Sequence, residues 1–205
     1  MNLKRGGPIL NNFAAAMLCG TAMGLLAFCF EQIVALRIGH AATHLEETVS
    51  PQSYWQAILI TVLVAPLIEE FISRKLIIDF ALRKSFPVIY AMLASAIFFS
   101  AGHLFRLSSA EVFLKAAILS GTFLDGLVLA AIYIRTKRII YPVIAHIFIN
   151  AFLSAPKSAL EANVNSQNAL IDYLPFLATT LIISTFLMYF VWVVWKDATQ
   201  RSNKR

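Results

Sequence analysis

Four long runs of sequence without an Asp, Glu, Lys or Arg constrain the fold of this chain more than any other feature. Each run holds 20 residues or more, and they cover residues 6–30, 48–68, 85–104 and 173–195. Because about 20 apolar residues in a helix cross the roughly 30 Å hydrocarbon core of a bilayer, each run can span a membrane. With 59% of its residues apolar and only 14% charged, the chain lies outside the composition of soluble domains.

Two further segments, residues 112–134 and 139–153, are mostly apolar but include ionisable side chains. With these, the sequence predicts an all-α, polytopic membrane protein of about six transmembrane helices, in which a central core of helices carries the polar motifs. We expect a single membrane-embedded domain over residues 1–205. Its parts are an N-terminal span in 1–38, the motif core at about 54–153 and a C-terminal span in 170–196.

The net charge of +6 is best interpreted from the positions of the basic residues along the chain. If the N-terminus is cytoplasmic, 13 Lys and Arg residues fall in segments on the cytoplasmic side and four fall on the other side. The positive-inside rule favours this orientation, with both termini in the cytoplasm. The charge therefore indicates topology in a lipid bilayer, and we expect no nucleic-acid partner.

The second span differs from the others because its helical pattern, over residues 54–83, includes charged side chains. Charges are expensive in hydrocarbon, so either the helix leaves the membrane near Arg74 and continues along the cytoplasmic interface, or its charged turn faces a cavity enclosed by protein. Pro66 lacks an N–H and crowds the preceding turn, which predicts a local break. The charged residues of this span are Glu69, Glu70, Arg74, Lys75 and Asp79.

The first candidate motif is Glu69-Glu70-x-x-x-Arg74. Glu70 and Arg74 are four residues apart with the acid first, which is the favourable orientation for an ion pair on a helix. Glu69 is rotated by about 100° from Glu70 and has no basic residue at that spacing, so it is free to face a neighbouring helix. The simpler interpretation of Glu69 is a second structural carboxylate.

Two further motifs repeat the spacing of four residues, which puts two side chains on one face of a helix. Phe99 and His103 lie in the third span, and His146 and Asn150 lie in the fifth. A single histidine in a membrane span is most often a packing residue. Two histidines, an Asn and an unpaired Glu within spans favour a shared functional site.

Taken in order, the three motifs resemble those of the CPBP family of intramembrane glutamic-type endopeptidases, which includes CAAX prenyl endopeptidases and bacterial Abi proteins. The resemblance runs from Glu69 to Asn150 and includes a Gly-rich helix at Gly121 and Gly126. It implies an intramembrane protease whose substrate is a membrane-associated peptide or protein, such as a leader, pheromone-type or C-terminal sorting segment. The short chain is similar to prokaryotic members, which implies the cytoplasmic (inner) membrane of a prokaryote.

The resemblance also implies roles for individual residues. Glu69 is the general base that activates a water, His103 holds this water or shares in proton transfer, and the third motif presents donors to the oxyanion. No cofactor is implied, although one Glu and two His are also a zinc-type ligand set, and the sequence leaves that alternative open. The implied catalytic residues are Glu69, Glu70, His103, His146 and Asn150, supported by Arg74 and Phe99.

Two features remain outside this set. Asp125 departs from the expected Gly-rich helix, and it either pairs with a neighbouring cation or contributes to the site. His40 and His44, in the first outside loop, have a spacing that can bind a metal on a helix. They match none of the family motifs, and a solvated, partly helical loop is the simpler interpretation.

The alternative to an enzyme is a non-catalytic membrane protein on the same scaffold, such as a bacteriocin-immunity or chaperone-like factor, or a transporter. Paired broken helices in an inverted repeat would favour a transporter, and the sequence has none that we recognise. A requirement for a general base discriminates between the enzyme and these alternatives.

Overall fold

The computed structural model describes residues 9–38, 56, 58–104, 112–153 and 169–202. These residues form six helices, which confirms the predicted all-α class. The predicted loop around His40 and His44 lies outside the described residues. The helices are α1 (Ile9–Ile38), α2 (residues 60–83), α3 (Val88–Gly102), α4 (Val112–Thr136), α5 (Ile140–Leu153) and α6 (Ala169–Ser202).

Three of these helices are long and apolar enough to cross a membrane. They are α1 over Asn12–Cys29, α4 over Ile118–Thr136 and α6 over Ala178–Gln200. Helices α3 and α5 are apolar but have only 15 and 14 residues, which corresponds to about 22 and 21 Å. The two short helices carry the second and third motifs, so the candidate site residues lie mainly on helices other than the long spans.

Helix α2 is continuous but changes its hydrogen-bond register. Pro66 does not end it, so the predicted local break takes the form of π-helical turns, an adjustment that membrane helices make around proline. Single π turns within α-helices are frequent at functional sites, and here they bracket Glu69 and Glu70. The helix is π-helical over Ile60–Val64, α-helical over Ala65–Glu70, π-helical over Phe71–Ile78 and α-helical over Asp79–Arg83.

The most extensive packing in the bundle is between α1 and α5. A Cβ atom at Gly20 would collide with the backbone of Ala145, and one at Gly24 would lie 2.7 Å from the Cβ of Phe152. Two glycines four residues apart form the small-residue pattern through which membrane helices approach closely. Helix α1 therefore packs directly against the helix that carries His146.

A second close approach lies between α3 and α4. A Cβ atom at Gly126 would lie 2.9 Å from the Cα of Ala96, so this glycine of the Gly-rich helix is required for packing. Nearby, Thr122 Oγ1 donates a hydrogen bond to Ser100 Oγ at 3.1 Å, and Ser100 Oγ donates to Leu119 O at 2.8 Å. These contacts fix α3, which carries the second motif, against a long membrane-spanning helix.

The end of α2 is attached to the bundle by Asp79. Its carboxylate accepts a hydrogen bond from the Tyr133 hydroxyl at 2.8 Å and pairs with Lys75 Nζ at 2.8 Å. The chain then turns into α3 through Ser85, whose φ of 62° is the left-handed conformation typical of a helix end. The helices of the first and second motifs are thereby held in contact.

Candidate active site

The site is built around a buried ion pair on α2. Glu70 and Arg74 are both 0% exposed, and Arg74 Nε lies 2.8 Å from Glu70 Oε2. Arg74 Nη2 also donates to Glu70 Oε1 at 3.3 Å. The pair predicted from the four-residue spacing is therefore present. A charge pair removed from solvent needs further hydrogen bonds to offset its lost hydration, and neighbouring helices supply them.

Arg74 is held on its other side by α3. Its Nη1 donates to Ser95 Oγ at 2.6 Å, and Ser95 Oγ donates to the carbonyl of Ser73 at 2.8 Å. The ring of Phe99 stacks against the guanidinium, with Cζ 5.1 Å from the ring centroid. Ser95 belongs to none of the motifs predicted from the sequence. The available signal was its spacing of four from Phe99 and eight from His103, which puts the three on one helix face.

His146 connects this ion pair to Glu69. Its Nδ1 lies 3.1 Å from Glu70 Oε1 and its Nε2 lies 3.7 Å from Glu69 Oε2. Because Glu70 is ion-paired with Arg74, its carboxylate accepts, so Nδ1 of His146 is the donor. In the tautomer with its hydrogen on Nδ1, the lone pair lies on Nε2 and is directed toward Glu69.

Glu69 is the accessible carboxylate of the site. Its side chain is 31% exposed, whereas that of Glu70 is fully buried. It faces α5, in agreement with the expectation that it turns toward a neighbouring helix. The separation of 3.7 Å from His146 is too long for a direct hydrogen bond, and a water that bridges the two groups has to lie to one side of the line between them.

Phe99 packs between the two histidines. Its ring centroid lies 5.2 Å from that of His103 and 5.3 Å from that of His146, the latter in an edge-on arrangement. His103 Nδ1 lies 3.1 Å from the carbonyl of Phe99, which can only accept, so Nδ1 is the donor and the neutral ring keeps a lone pair on Nε2. His103 is thus linked to His146 through the ring of Phe99.

Asn150 forms a hydrogen bond to the main chain of α2, which is not expected of a residue that only binds the oxyanion. Its Nδ2 donates to the carbonyl of Thr61 at 2.9 Å, which links α5 to the first π-helical turn of α2. One of the two amide hydrogens is used in this bond. The structure thus brings Glu69 and His146 together, while Asn150 joins the two helices that carry them.

Asp125 lies beside the site rather than in it. It lines a small pocket between α1, α4 and α6, together with Leu26 and Ser184. No Lys or Arg forms an ion pair with Asp125 in the described ranges. The expected ion pair is therefore not formed among the described residues, and a contribution of Asp125 to the site stays a prediction.

The zinc alternative has no ligand set in the part of the chain that the structure describes. No three side chains of His, Cys, Asp or Glu are grouped there so as to hold a metal ion. Glu69, Glu70 and His146 do not converge on one point, because the two nitrogens of the imidazole face different carboxylates. These three side chains therefore do not form a zinc site, and the set of one Glu and two His stays an open alternative.

Arg74→Ala is expected to lower the free energy of unfolding by about 3 to 5 kcal/mol, because it leaves Glu70 buried without its partner. Unfolding in mixed detergent micelles measures this. The double variant Glu70→Gln/Arg74→Met should recover most of the loss, since it removes both charges. Lys75→Ala is the matched control: Lys75 is exposed and its partner Asp79 is only partly buried, so the change should cost less than about 1 kcal/mol. Equal losses for the two single variants would contradict this account.

Comparison with known proteins agrees with the motifs. The sequence model of the type II CAAX prenyl endopeptidase Rce1-like family matches residues 51–152. This range holds all three motifs, and the match confirms the resemblance predicted from them. No curated protein and no solved structure matches the chain.

Proposed function

The chain belongs to the Rce1-like type II CAAX prenyl endopeptidase family, and from this premise we propose that it hydrolyses a peptide bond in a membrane-associated peptide or protein. The family match and the three long apolar helices together support the general class of integral membrane endopeptidase. The finer proposal is that Glu69 activates the attacking water. The observation that supports it most directly is the 3.7 Å approach of Glu69 to His146, whose other nitrogen contacts Glu70.

In the proposed reaction the water lies between Glu69 Oε2 and His146 Nε2. Glu69 accepts its proton because this carboxylate is partly exposed and can meet both water and substrate. Glu70 is committed to Arg74 and to His146 Nδ1, so its role is to orient the imidazole. The lone pair on Nε2 then accepts the second hydrogen of the water and directs the oxygen toward the substrate.

The chemical step needs no reactant other than water. Glu69 takes one proton, and the water oxygen forms a bond to the carbonyl carbon of the scissile peptide. When the tetrahedral intermediate collapses, the C–N bond breaks and the proton held by Glu69 passes to the leaving nitrogen. The products are a carboxylic acid and an amine, and Glu69 returns to its ionised form.

The oxyanion of the intermediate requires donors, and we assign one to Asn150. Its bond to Thr61 O fixes the amide plane and uses one hydrogen, so the second hydrogen is held in a set direction. His103 donates from Nδ1 to Phe99 O, which leaves Nε2 as an acceptor. Because both hydrogens of the attacking water are assigned to Glu69 and His146, we assign His103 to sharing in proton transfer, rather than to holding this water or the oxyanion.

The surroundings of Glu69 favour a substrate that arrives within the membrane. Leu67, Ile68 and Phe71 flank it on α2 and are about half exposed, at 53%, 56% and 50%. An apolar surface next to the general base suits a lipid-embedded or lipid-modified segment better than a soluble peptide. We propose a leader, pheromone-type or C-terminal sorting segment as substrate class, with a prenylated C-terminal segment as the form that the family name suggests.

Purified protein in proteoliposomes tests this function directly. Labelled membrane peptides, with and without a C-terminal prenyl group, should be cut at one bond, and mass spectrometry of the products identifies it. Treatment with a chelator should leave the activity unchanged, whereas loss restored by zinc would replace the mechanism with a metal-dependent one. If no peptide is cut and the membrane peptidome of a deletion strain is unaltered, the non-catalytic alternative is favoured.

We also propose that both termini are cytoplasmic. Arg74 is buried in the protein, so it is left out of the count, and this orientation then assigns 12 basic residues to the cytoplasmic side and four to the other. Reporter fusions at Thr48 and Asn163 are expected to give the non-cytoplasmic signal, and fusions at either terminus the cytoplasmic one. A cytoplasmic signal at Thr48 or Asn163 would contradict this orientation.

A further inference from the structure

Ser95 is a buried residue of α3 that belongs to none of the three motifs. It is 0% exposed, its Oγ accepts a hydrogen bond from Arg74 Nη1 at 2.6 Å, and it donates to the carbonyl of Ser73 at 2.8 Å. A serine hydroxyl has a single hydrogen, and here the Ser73 carbonyl takes it. The lone pairs of Oγ are therefore turned toward Arg74, and the direction of this bond is fixed.

The bond to Ser95 fixes the orientation of the guanidinium. This group is planar, and its donors form a rigid fork. One edge of the fork, Nε and Nη2, meets the carboxylate of Glu70, while Nη1 on the far side meets Ser95. With Phe99 stacked against the group, rotation of the plane would break contacts on both edges.

The orientation of Arg74 is transmitted to His146 through one oxygen atom. Glu70 Oε1 accepts from Arg74 Nη2 at 3.3 Å and contacts His146 Nδ1 at 3.1 Å. The direction of this oxygen sets where Nδ1–H of His146 points. Since the imidazole is rigid, it also sets where the lone pair on Nε2 meets the water beside Glu69.

We propose that Ser95 is a positioning residue of the active site, which holds Arg74 so that Glu70 presents His146 to the attacking water. This inference rests on the proposed function. It adds a residue of α3 to a hydrogen-bond network whose other side chains lie on α2 and α5. Ser95 is connected to His146 only through Arg74 and Glu70. It therefore acts on the geometry of the chemical step and does not touch the substrate.

Steady-state hydrolysis in proteoliposomes, at equal amounts of folded protein, tests the inference. Ser95→Ala is expected to lower kcat by about 10-fold or more with KM within about twofold, because it removes a hydrogen bond to a charged group and leaves substrate contacts unchanged. Ser95→Thr keeps the hydroxyl and should restore kcat to within about threefold of the wild type. Ser95→Cys, which is close in size and a weaker partner, should give an intermediate kcat if the threonine variant does not fold.

Ser100→Ala is the matched control. Ser100 is a buried serine on the same helix, and its hydroxyl also donates to a main-chain carbonyl, that of Leu119, but it does not contact Arg74. Its kcat should stay within about threefold of the wild type.

Three results would overturn the inference: the same kcat for Ser95→Ala as for Ser100→Ala, a change confined to KM, or a loss that neither Thr nor Cys restores at unchanged thermal stability. A wild type that cleaves no peptide rejects the proposed function and this inference with it. An active wild type with an unaffected Ser95→Ala variant rejects the inference alone.

Discussion

Replacing Glu69 by Gln is expected to lower kcat by about 100-fold or more while the protein remains folded. Glutamine keeps the size of the side chain but cannot take a proton from water. The substitution removes no ion pair with Arg74, because that partner belongs to Glu70, so the buried network should persist. Cleavage of a membrane peptide in proteoliposomes measures the change, with thermal unfolding in detergent as the check on folding.

The control for this variant is Asp197→Asn, which makes the same chemical change at an exposed position near the end of α6. Its activity should equal that of the wild type. If Glu69→Gln cleaves at nearly the wild-type rate, Glu69 is not the general base, and the family scaffold uses another group. A transporter or immunity factor would show no dependence of its function on this proton acceptor.

Hydrophobic runs and four-residue spacings predicted much of this molecule because they depend on local geometry. A run of apolar residues is long enough to span a bilayer whatever its neighbours are, so six helices could be predicted. In the same way Glu70 and Arg74 meet on one helix face, and their ion pair follows from the spacing alone. The response of the helix to Pro66 was less predictable, since a break and a π-helical turn both accommodate a missing N–H.

The contacts that make the site depend on which helices are neighbours, and the spacing does not contain that information. His146 and Asn150 share a face of α5, yet one contacts the two carboxylates and the other contacts the carbonyl of Thr61. Ser95 has no motif to mark it, and its partner on α2 is defined only once α3 packs there. Gly20 and Gly24 showed a recognisable small-residue pattern, but only the structure identifies α5 as the partner.

The assignment of the two nitrogens of His146 leads to the second large effect. His146→Ala is expected to lower kcat by about 100- to 10,000-fold, the range in which a positioned acid or base contributes. The ring is buried, at 3% exposure, so its removal leaves a cavity of its own shape. Free imidazole should enter this cavity and restore part of the activity, because it offers a donor to Glu70 and a lone pair toward Glu69.

Pyrrole separates this chemistry from packing, since it is also a flat five-membered ring with an N–H but lacks the second nitrogen. It can fill the cavity and donate to Glu70, yet it has no ring nitrogen lone pair to accept a hydrogen bond from the water. We therefore expect rescue of His146→Ala by imidazole and none by pyrrole, measured as kcat at saturating additive. Equal rescue by both rings would mean that His146 only supports Glu70 and the helix packing, and Glu69 would then have to activate the water without it.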